Sequence, residues 1–376
     1  MLWRAFCEQG QVIETMSKFP TGVLSDRQMS QMIKAGQILA TSPIDAKQIQ
    51  PASLDLRLGS VAYRVRASFL SGKSVSVKDR LEIFKMHEMD LSDGAVLEKG
   101  CVYVVPLLES LDLPNDMSAA ASAKSSIGRL DLLTRVITDS GVEFDRVPSG
   151  YRGQLYVEIC PRSFSVVARM GQMLNQIIFR VGKTVIVDED LRQLHKQTPI
   201  VSGNAVISDG LGFSVDLKPR SSDLVGYRAK PHTGVIALDK IAHYDPADYW
   251  EEVRTSEGRI ILDPGAFYIL VSREAISIPP TCAAEMAPYL AMVGEFRVHY
   301  AGFFDPGFGY SSSGAGSRGV LEVRCHEAPF VLEHAQVVGR LVYEKMSEEP
   351  ERLYGSEIAS NYQGQGLKLS KHFKTN

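Results

Sequence analysis

The chain has 376 residues, a formal net charge of −3 and 44% hydrophobic residues, which is the composition of an ordinary globular protein. Its length allows two domains of about 150 residues each. The small negative charge argues against a general binder of nucleic acid polymers. No apolar run approaches the ~20 residues of a membrane-spanning helix, and Met1–Glu8 has no signal-peptide pattern. We therefore expect a cytoplasmic protein without a membrane partner.

The cysteines are widely separated along the chain: Cys7, Cys101, Cys160, Cys282 and Cys325. This spacing, without a Cys-x-x-Cys pair, predicts reduced thiols in a cytosolic protein. Zinc-dependent base deaminases hold their metal with a Pro-Cys-x-x-Cys element and one further histidine or cysteine. The chain lacks that element, so the sequence excludes the zinc-dependent class.

The predicted elements begin after a loosely structured leader, residues 1–24. Ser25 and Gln28 have the spacing of a capping box, which predicts a helix that starts there. Residues 50–59 alternate apolar and polar side chains, as a half-buried strand does. Short strands with glycine and proline turns follow, and helix patterns stay sparse until Asp188–Lys196. Many short strands of this kind indicate a barrel or a sandwich.

The second half of the chain repeats motifs of the first half in the same order. The matching segments lie roughly 165 residues apart: 97–106 with 262–271, 113–120 with 278–285, and 153–158 with 319–322. A fixed order at this distance indicates duplication of a whole barrel rather than a short-repeat solenoid. We predict two domains, 1–198 and 199–376.

A group of candidate phosphate donors follows an alanine-rich stretch in the first half only. Lys124-Ser125-Ser126-Ile127-Gly128-Arg129 offers two hydroxyls, backbone N–H groups at a helix start and a guanidinium fork. The corresponding segment of the second half, 286–289, offers no such donors. The alternative interpretation is a simple serine N-cap.

The second half has a turn-rich stretch between two strand-like runs, 295–300 and 320–324. Asp305-Pro306-Gly307 is typical of a turn, because proline presets φ, glycine accepts a positive φ, and aspartate can bond the backbone ahead of it. Such a hairpin would present aromatic rings, free backbone groups and the Glu322 carboxylate, and could read a flat polar ring by its edges. The alternative is an ordinary turn with a solvent-exposed glutamate.

Only the second half ends in a polar, glycine-spaced tail, residues 354–366. This tail could become ordered over a ligand. The alternative is a frayed terminus.

Together these motifs resemble the dCTP deaminase family of the trimeric dUTPase-like superfamily. The resemblance rests on segments in the family's order: 26–27, 50–59, 125–129, 300–309, 320–322 and 362–365. It covers most of the chain, as a long form with two family barrels in tandem. It implies a mainly β fold of two tandem dUTPase-like distorted β-barrels with a few short helices, in a homo-oligomer.

The resemblance also implies a role for each matching residue. Glu322 is the general acid/base, Glu158 of the first half is its rival, and Ser126 and Arg129 assist. The substrate dCTP would contact Lys124, Ser125, Ser126, Ile127, Gly128, Arg129, Ala301, Asp305, Val320, Leu321, Tyr354, Asn361 and Gln365. Lys124 stands where the family usually has arginine, and Asn361 stands where it has lysine.

Each half keeps what the other lacks, and members of this superfamily generally build sites between neighbouring barrels. We therefore predict a composite site that joins Ser125, Ser126 and Arg129 of the first half to Asp305 and Glu322 of the second.

The implied reaction is hydrolytic deamination of dCTP to dUTP and ammonia, without catalytic zinc. One glutamate can deprotonate water, protonate ring N3 and help to expel ammonia. Ser126 and a carbonyl near Ala301 could orient the water, and Arg129 could keep the glutamate ionised. Mg²⁺ would arrive with the triphosphate. The alternatives are a dUTPase, a bifunctional deaminase–diphosphatase and a non-catalytic nucleotide-binding regulator.

Overall fold

The computed structural model describes residues 16–218, 223–287, 302–310, 316–355, 364 and 366–375, and the backbone alone of 288 and 296–299. Strands dominate these residues, which confirms the predicted mainly β fold. The helices in the described ranges are short: α1 (Asp26–Lys34), α2 (Val77–Phe84), α3 (Ser125–Gly128), α4 (Asp188–Gln197) and α5 (Pro246–Tyr249), with a 3₁₀ turn at Ala46–Gln48. None of the helices in this part of the chain combines the length and apolar character needed to cross a membrane.

The strands fall into two sets, which we call the first repeat (β1 to β13) and the second repeat (β14 to β25). The first repeat contains β1 (Gly22–Val23), β2 (Ile38–Ala40), β3 (Leu54–Arg57), β4 (Val61–Val65), β5 (Lys85–Asp90), β6 (Ala95–Leu97), β7 (Val102–Asp112), β8 (Met117–Ala123), β9 (Leu132–Thr138), β10 (Arg146–Val147), β11 (Arg152–Pro161), β12 (Val166–Ala168) and β13 (Met173–Val181). The second repeat contains β14 (Leu211–Ser214), β15 (Leu224–Ala229), β16 (Ile236–Ala237), β17 (Trp250–Arg254), β18 (Arg259–Leu262), β19 (Phe267–Ile276), β20 (Cys282–Pro288), β21 (Phe296–His299), β22 (Phe303–Phe304), β23 (Ser317–Cys325), β24 (Phe330–Glu333) and β25 (Val337–Lys345).

The two repeats have matching sheets. In the first repeat the strand orders are β1-β13-β8-β10, with β3 also on β13, and β5-β4-β7-β11-β9, with β2 also on β7. In the second repeat the orders are β14-β25-β20-β22 and β17-β15-β19-β23-β21. Two small sheets, β16-β12-β6 and β18-β24, complete the fold. The same long strands recur in the same order, so the predicted duplication is confirmed.

The apolar cores of the two repeats are joined. Trp250, Phe267 and Ile269 of the second repeat belong to the core built mainly from the first repeat. Leu191 of α4 packs into the second core. Strand β16 of the second repeat lies parallel to β12 of the first. Because apolar burial is the main favourable term in association, this shared core holds the repeats side by side.

The N-terminal segment that the structure describes is not the loose leader that the sequence suggested. Gly22 and Val23 pair with Val181 and Arg180 of β13, and both Val23 and Leu24 are fully buried. A two-residue strand is too short to show periodicity, which is why the pattern missed it. Residues 1–15 lie outside the described part of the chain.

The capping box predicts the first helix correctly but was overlooked at the second. Ser25 Oγ accepts from the Gln28 amide at 3.3 Å, and Gln28 Oε1 accepts from the Ser25 amide at 3.0 Å. Ser76 caps α2 in the same way, with Asp79 in the third position. Helix nevertheless remains sparse before α4, as expected, because only the short α1, α2 and α3 and one 3₁₀ turn precede it.

The predicted strand at residues 50–59 is shorter than expected and is not half-buried. Only Leu54–Arg57 form β3, and Leu54, Asp55 and Leu56 are all buried. Alternation suggested that Asp55 faces solvent, but its carboxylate is covered by Lys124 from the end of β8. The structure therefore corrects the prediction and places a buried acid beside the predicted phosphate-binding residues.

Candidate active site

Residues 124–129, which we call the phosphate loop, follow β8 and form the single turn of α3. Lys124 is the N-cap residue and makes no side-chain capping bond, while Ser125 is the first residue inside the helix. The Ser125 hydroxyl accepts from Arg129 Nε at 3.3 Å. The alternative of a simple serine N-cap is therefore wrong.

The Lys124 ammonium forms an ion pair with the buried Asp55 carboxylate. Burial raises the pKa of Asp55, whereas the charges of Lys124 and Lys371 lower it. Because removing an unpaired charge from water is costly, the lysine is held at the start of α3 by this carboxylate. A cation therefore has a defined position beside the two serines.

The C-terminal segment 366–375, which we call the strap, is anchored on the phosphate loop. Arg129 is only 2% exposed, and its Nη1 donates to the Lys368 carbonyl at 3.0 Å. The Ser370 hydroxyl donates to the Ser126 carbonyl at 2.6 Å. The strap is therefore fixed to the loop at two places, whereas most of the predicted tail, 356–363 and 365, lies outside the described residues.

The turn region of the second repeat lies against the same loop. The Gly302 amide donates to the Ser122 hydroxyl at 3.0 Å. Gly302 has a φ of +99°, and a Cβ on it would lie 3.5 Å from the Ser125 nitrogen. The two repeats therefore meet at the phosphate loop, as the composite-site prediction requires.

The Asp305-Pro306-Gly307 turn is present, but its aspartate has an unexpected partner. The Phe308 amide donates to the Asp305 carbonyl at 3.1 Å, and Gly307 has a φ of +97°. Asp305 Oδ1 accepts from the Ala52 amide of the first repeat at 3.1 Å. Burial raises the pKa of Asp305 to about 7, with a further contribution from the charge of Asp55.

The two strand-like runs of the second half do pair. Strands β21 and β23 are antiparallel, with His299 opposite Glu322. The connection is not a simple hairpin, because β22 pairs with β20 in the other sheet of the repeat. This excursion brings Gly302 and Asp305 to the first repeat.

Glu322 is buried, with 2% of its surface exposed, so the alternative of a solvent-exposed glutamate is wrong. It lines a cavity of about 150 Å³ that is otherwise walled by the first repeat. Its polar lining includes Ser122, Asp131, Thr134, Arg135, Asp145 and Glu322, together with the backbone of Gly128. The cavity therefore joins the candidate base to the end of the phosphate loop.

Glu158, the rival candidate, has a different environment. It is buried on β11 and accepts from Arg135 Nε at 3.1 Å, with a second guanidinium contact at 2.5 Å from Nη2. Arg135 lines the cavity, and its guanidinium carbon lies over the Phe144 ring, 3.6 Å from the ring centroid. Glu158 therefore orients an arginine toward the cavity.

Three ionisable cavity residues were not predicted: Asp131, Arg135 and Asp145. Arg135 pairs in register with Glu158 as His299 pairs with Glu322, so an alignment of the two repeats could have found it. Asp145 accepts from the Val136 amide at 2.7 Å, and burial raises its pKa to about 7. Asp131 carries no sequence pattern, because its role depends on Arg324 of the other repeat.

The remaining predicted residues lie around this centre or outside the described chain. Ile127 and Leu321 are buried, and the Val320 and Leu321 backbone pairs with Val271 and Leu270 of β19. The Tyr354 amide donates to the Pro306 carbonyl at 2.9 Å, and its ring packs against Phe308 with centroids 5.6 Å apart. Three predicted contacts lie outside the described residues: Ala301, Asn361 and Gln365.

The described residues contain no group of three or more His, Cys, Asp or Glu side chains arranged to hold a metal ion. Mg²⁺ rarely needs such a group, because it is usually held by one or two carboxylates, by substrate phosphates and by water. The donors present are thus compatible with an ion that arrives on a nucleotide.

Two domain models of one protein family match most of the chain. Residues 20–183 match the model of the dCTP deaminase N-terminal domain, and residues 187–373 match that of its C-terminal domain. The crystal structure of 2'-deoxycytidine 5'-triphosphate deaminase from Agrobacterium tumefaciens is 54% identical, with a TM-score of 0.84 over 87% of this chain and 99% of that one.

Curated relatives match over shorter stretches. A dUMP-forming dCTP deaminase of Methanoculleus marisnigri is 28% identical over 48% of this chain and 94% of its own length. One of Salinispora arenicola is 33% identical over 43% of this chain and 80% of its own length. With both domain models matched in order, the chain belongs to the dCTP deaminase family.

Proposed function

We propose that this protein hydrolyses dCTP at C4 of the cytosine ring, giving dUTP and ammonia. The observation that carries the proposal is the cavity in which Glu322 of the second repeat faces residues next to the phosphate loop of the first. A buried carboxylate beside a group of phosphate donors suits a reaction that moves protons on a ring while the triphosphate is held.

Glu322 acts as the general acid/base in this proposal. It takes a proton from water as the oxygen attacks C4, and it delivers that proton to ring N3. The second proton of the water goes to the leaving amine as the C4–N bond breaks, so dCTP and water become dUTP and ammonia. General acid–base catalysis of this kind contributes roughly 10²–10⁴-fold. Ser126 and the Ala301 carbonyl orient the water, and Arg129 favours the ionised glutamate.

Substrate binding uses both repeats. Lys124, Ser125 and Arg129 hold the triphosphate, together with the Ile127–Gly128 backbone of α3. Asp305 positions the sugar, and the Val320–Leu321 backbone contacts the base. The anchored loop supports this assignment, because Arg129 and Lys124 are already held by Lys368 and Asp55. Tyr354, Asn361 and Gln365 close the site over the phosphates.

Mg²⁺ accompanies the triphosphate in this proposal, and zinc takes no part. The ion would neutralise phosphate charge, and its ligands would be phosphate oxygens and water. The absence of a Pro-Cys-x-x-Cys element from the sequence supports the zinc-free reaction.

A second candidate product is dUMP. The curated relatives that match this chain are named dUMP-forming dCTP deaminases. A bifunctional enzyme would deaminate dCTP and then release pyrophosphate. The 54% identical Agrobacterium tumefaciens protein is named a deaminase without that addition.

Incubation of the purified protein with dCTP and Mg²⁺ tests both candidates. Ammonia is measured alongside chromatography of the nucleotide products and a pyrophosphate assay. Ammonia with dUTP supports the proposal, and ammonia with dUMP and pyrophosphate supports the bifunctional enzyme. Pyrophosphate from dUTP without ammonia from dCTP would indicate a dUTPase. Binding of dCTP without turnover would indicate a regulator.

We further propose a homo-oligomer in the cytoplasm, with the two domains dividing near residue 198. Exposed apolar residues beside a cleft between the repeats support the oligomer: Val142, Val185 and Val187 are each more than half exposed. Burial of such residues by another subunit would be favourable.

A further inference from the structure

The strap brings one more cation to the phosphate loop. Its position is defined by two bonds, from Ser370 Oγ to the Ser126 carbonyl at 2.6 Å and from Arg129 Nη1 to the Lys368 carbonyl at 3.0 Å. Lys371 lies between residues that are themselves fixed, since the Ala242 amide donates to its carbonyl at 2.9 Å and His372 is buried. The lysine is therefore held on a rigid segment.

Lys371 is half-buried and close to the charges of the loop. Its ammonium interacts electrostatically with the Lys124 ammonium and the Asp55 carboxylate. Burial and then the charge of Lys124 lower the pKa of Lys371, while Asp55 raises it. Asp55 is therefore paired with Lys124 and also attracts the Lys371 ammonium.

The charge balance around the loop favours an added anion. Lys124, Lys371 and Arg129 carry positive charge, and the neighbouring acids are Asp55, Asp305 and Glu109, of which Glu109 is paired with Arg57. Like charges held in a partly desolvated place repel one another, and an anion bound between them removes that repulsion. The Lys124–Asp55 ion pair already compensates the buried carboxylate, so an anion would relieve mainly the repulsion between the two ammonium groups.

We propose that Lys371 is a phosphate-binding residue, which acts with Lys124 as a pair of cations on the triphosphate of the substrate. The inference rests on the proposed function and names a contact that none of the predicted residues supplies. The first repeat contributes Lys124 and the strap of the second contributes Lys371, so the phosphate site is composite like the cavity. At position 361 this chain has asparagine where the family has lysine. In the proposal, Lys371 of the strap supplies the positive charge that Asn361 lacks.

The test compares Lys371→Met with Lys374→Met in the full-length protein. Lys374 is a matched control, because it lies three residues further along the same strap and is exposed. We expect Lys371→Met to raise KM for dCTP about tenfold or more, as for a lost charge-assisted hydrogen bond, with kcat within twofold. Lys371→Arg should restore most of the loss, and Lys374→Met should resemble the parent.

Inorganic tripolyphosphate provides a readout that does not need catalysis. Calorimetry should show that Lys371→Met weakens its binding by the same factor as KM rises. Equal tripolyphosphate binding by parent and Lys371→Met would overturn the proposal. So would a loss that Lys371→Arg fails to restore while the thermal midpoint falls, because Lys371 would then only support the fold.

A further variant separates phosphate binding from neutralisation of Asp55. If Lys371 served only Asp55, Lys371→Met would have no effect on tripolyphosphate binding in an Asp55→Asn background. The proposal expects the loss to persist there. If the parent binds tripolyphosphate through Lys371 but releases no ammonia from dCTP, the proposed deaminase function fails while this inference stands.

Discussion

Asp131 of the first repeat and Arg324 of the second form a buried ion pair across the two repeats. Arg324 Nη2 contacts Asp131 Oδ2, Nε lies 3.4 Å from Oδ1, and Nη1 donates to the Gly265 carbonyl at 2.6 Å. The Ser163 hydroxyl donates to Asp131 Oδ2 at 2.7 Å. Arg324 lies two residues after Glu322, and Asp131 lines the same cavity. The ion pair thus connects β23, the strand that carries the candidate base Glu322, to the cavity wall formed by the first repeat.

Breaking this pair should destabilise the protein strongly. Arg324→Met leaves the Asp131 carboxylate buried without its partner, which costs about 3–5 kcal/mol of unfolding free energy. Asp131→Asn is the matching change, because asparagine tolerates the positive φ of 52° at this position. Urea unfolding of both single variants and the double variant measures the coupling. Additive effects, within about 0.5 kcal/mol, would contradict the coupling.

Glu322→Gln and Glu158→Gln should differ sharply in activity. The amide keeps the shape of the side chain but cannot take a proton, so Glu322→Gln should lose at least 10²-fold in kcat, on the order expected for a general base, and still bind dCTP. Glu158→Gln should keep more activity, because Glu158 serves to orient Arg135 and does not itself transfer the proton. Ammonia release and calorimetric titration with dCTP provide the measurements. The reverse ranking would make Glu158 the base.

Substitutions in the phosphate loop should weaken substrate binding by different amounts. Arg129→Ala removes a charge-assisted fork and the bond to the Lys368 carbonyl, whereas Ser125→Ala removes one neutral hydroxyl. We expect KM for dCTP to rise about tenfold or more for Arg129→Ala and less for Ser125→Ala. Steady-state kinetics decides this. Unchanged KM in both variants would mean that the loop does not bind the triphosphate.

Acid should loosen the strap through His372. Its Nδ1 lies 2.8 Å from the Ser370 hydroxyl and its Nε2 lies 3.2 Å from the Leu238 carbonyl. Burial, with the charge of Lys371, lowers the pKa of His372 to about 4. Below pH 6.5 the unfolded chain binds the proton more readily, so stability should fall as pH decreases from 6.5 towards 4.

The expected loss from His372 is about 2 kcal/mol between pH 7 and pH 5. Urea unfolding at the two pH values measures it, and His372→Gln should show a smaller difference because glutamine does not titrate. An equal pH dependence in the parent and in His372→Gln would assign the acid sensitivity to other groups.

Chelation should separate magnesium from zinc. We expect EDTA to reduce turnover of dCTP and Mg²⁺ to restore it, because the metal is expected to act on the triphosphate. Metal analysis of active protein should find no stoichiometric zinc. Activity that is lost on selective removal of zinc and returns with zinc alone would contradict the zinc-free reaction.

Local chemistry and the repeated plan could be predicted from the sequence alone. The capping box of Ser25 and Gln28 and the turn at Asp305-Pro306-Gly307 involve residues within three positions of one another, so their geometry is encoded locally. The duplication was visible because the same strands recur in order. The resemblance of the phosphate loop and of the turn region to the family then predicted a candidate site composed of both repeats.

Tertiary structure decided how those parts meet. Alternation predicted that Asp55 faces solvent, but Lys124 covers it, and no sequence pattern indicated that the charge of Lys371 acts on both. The Ser370 hydroxyl reaches the Ser126 carbonyl across 244 positions of chain. Such contacts depend on how the two repeats pack. This packing is driven by burial of apolar side chains from both repeats, which a local sequence pattern does not predict. Sequence patterns therefore predict the family and most of the elements, whereas the packing of the two repeats sets which residues share a cavity.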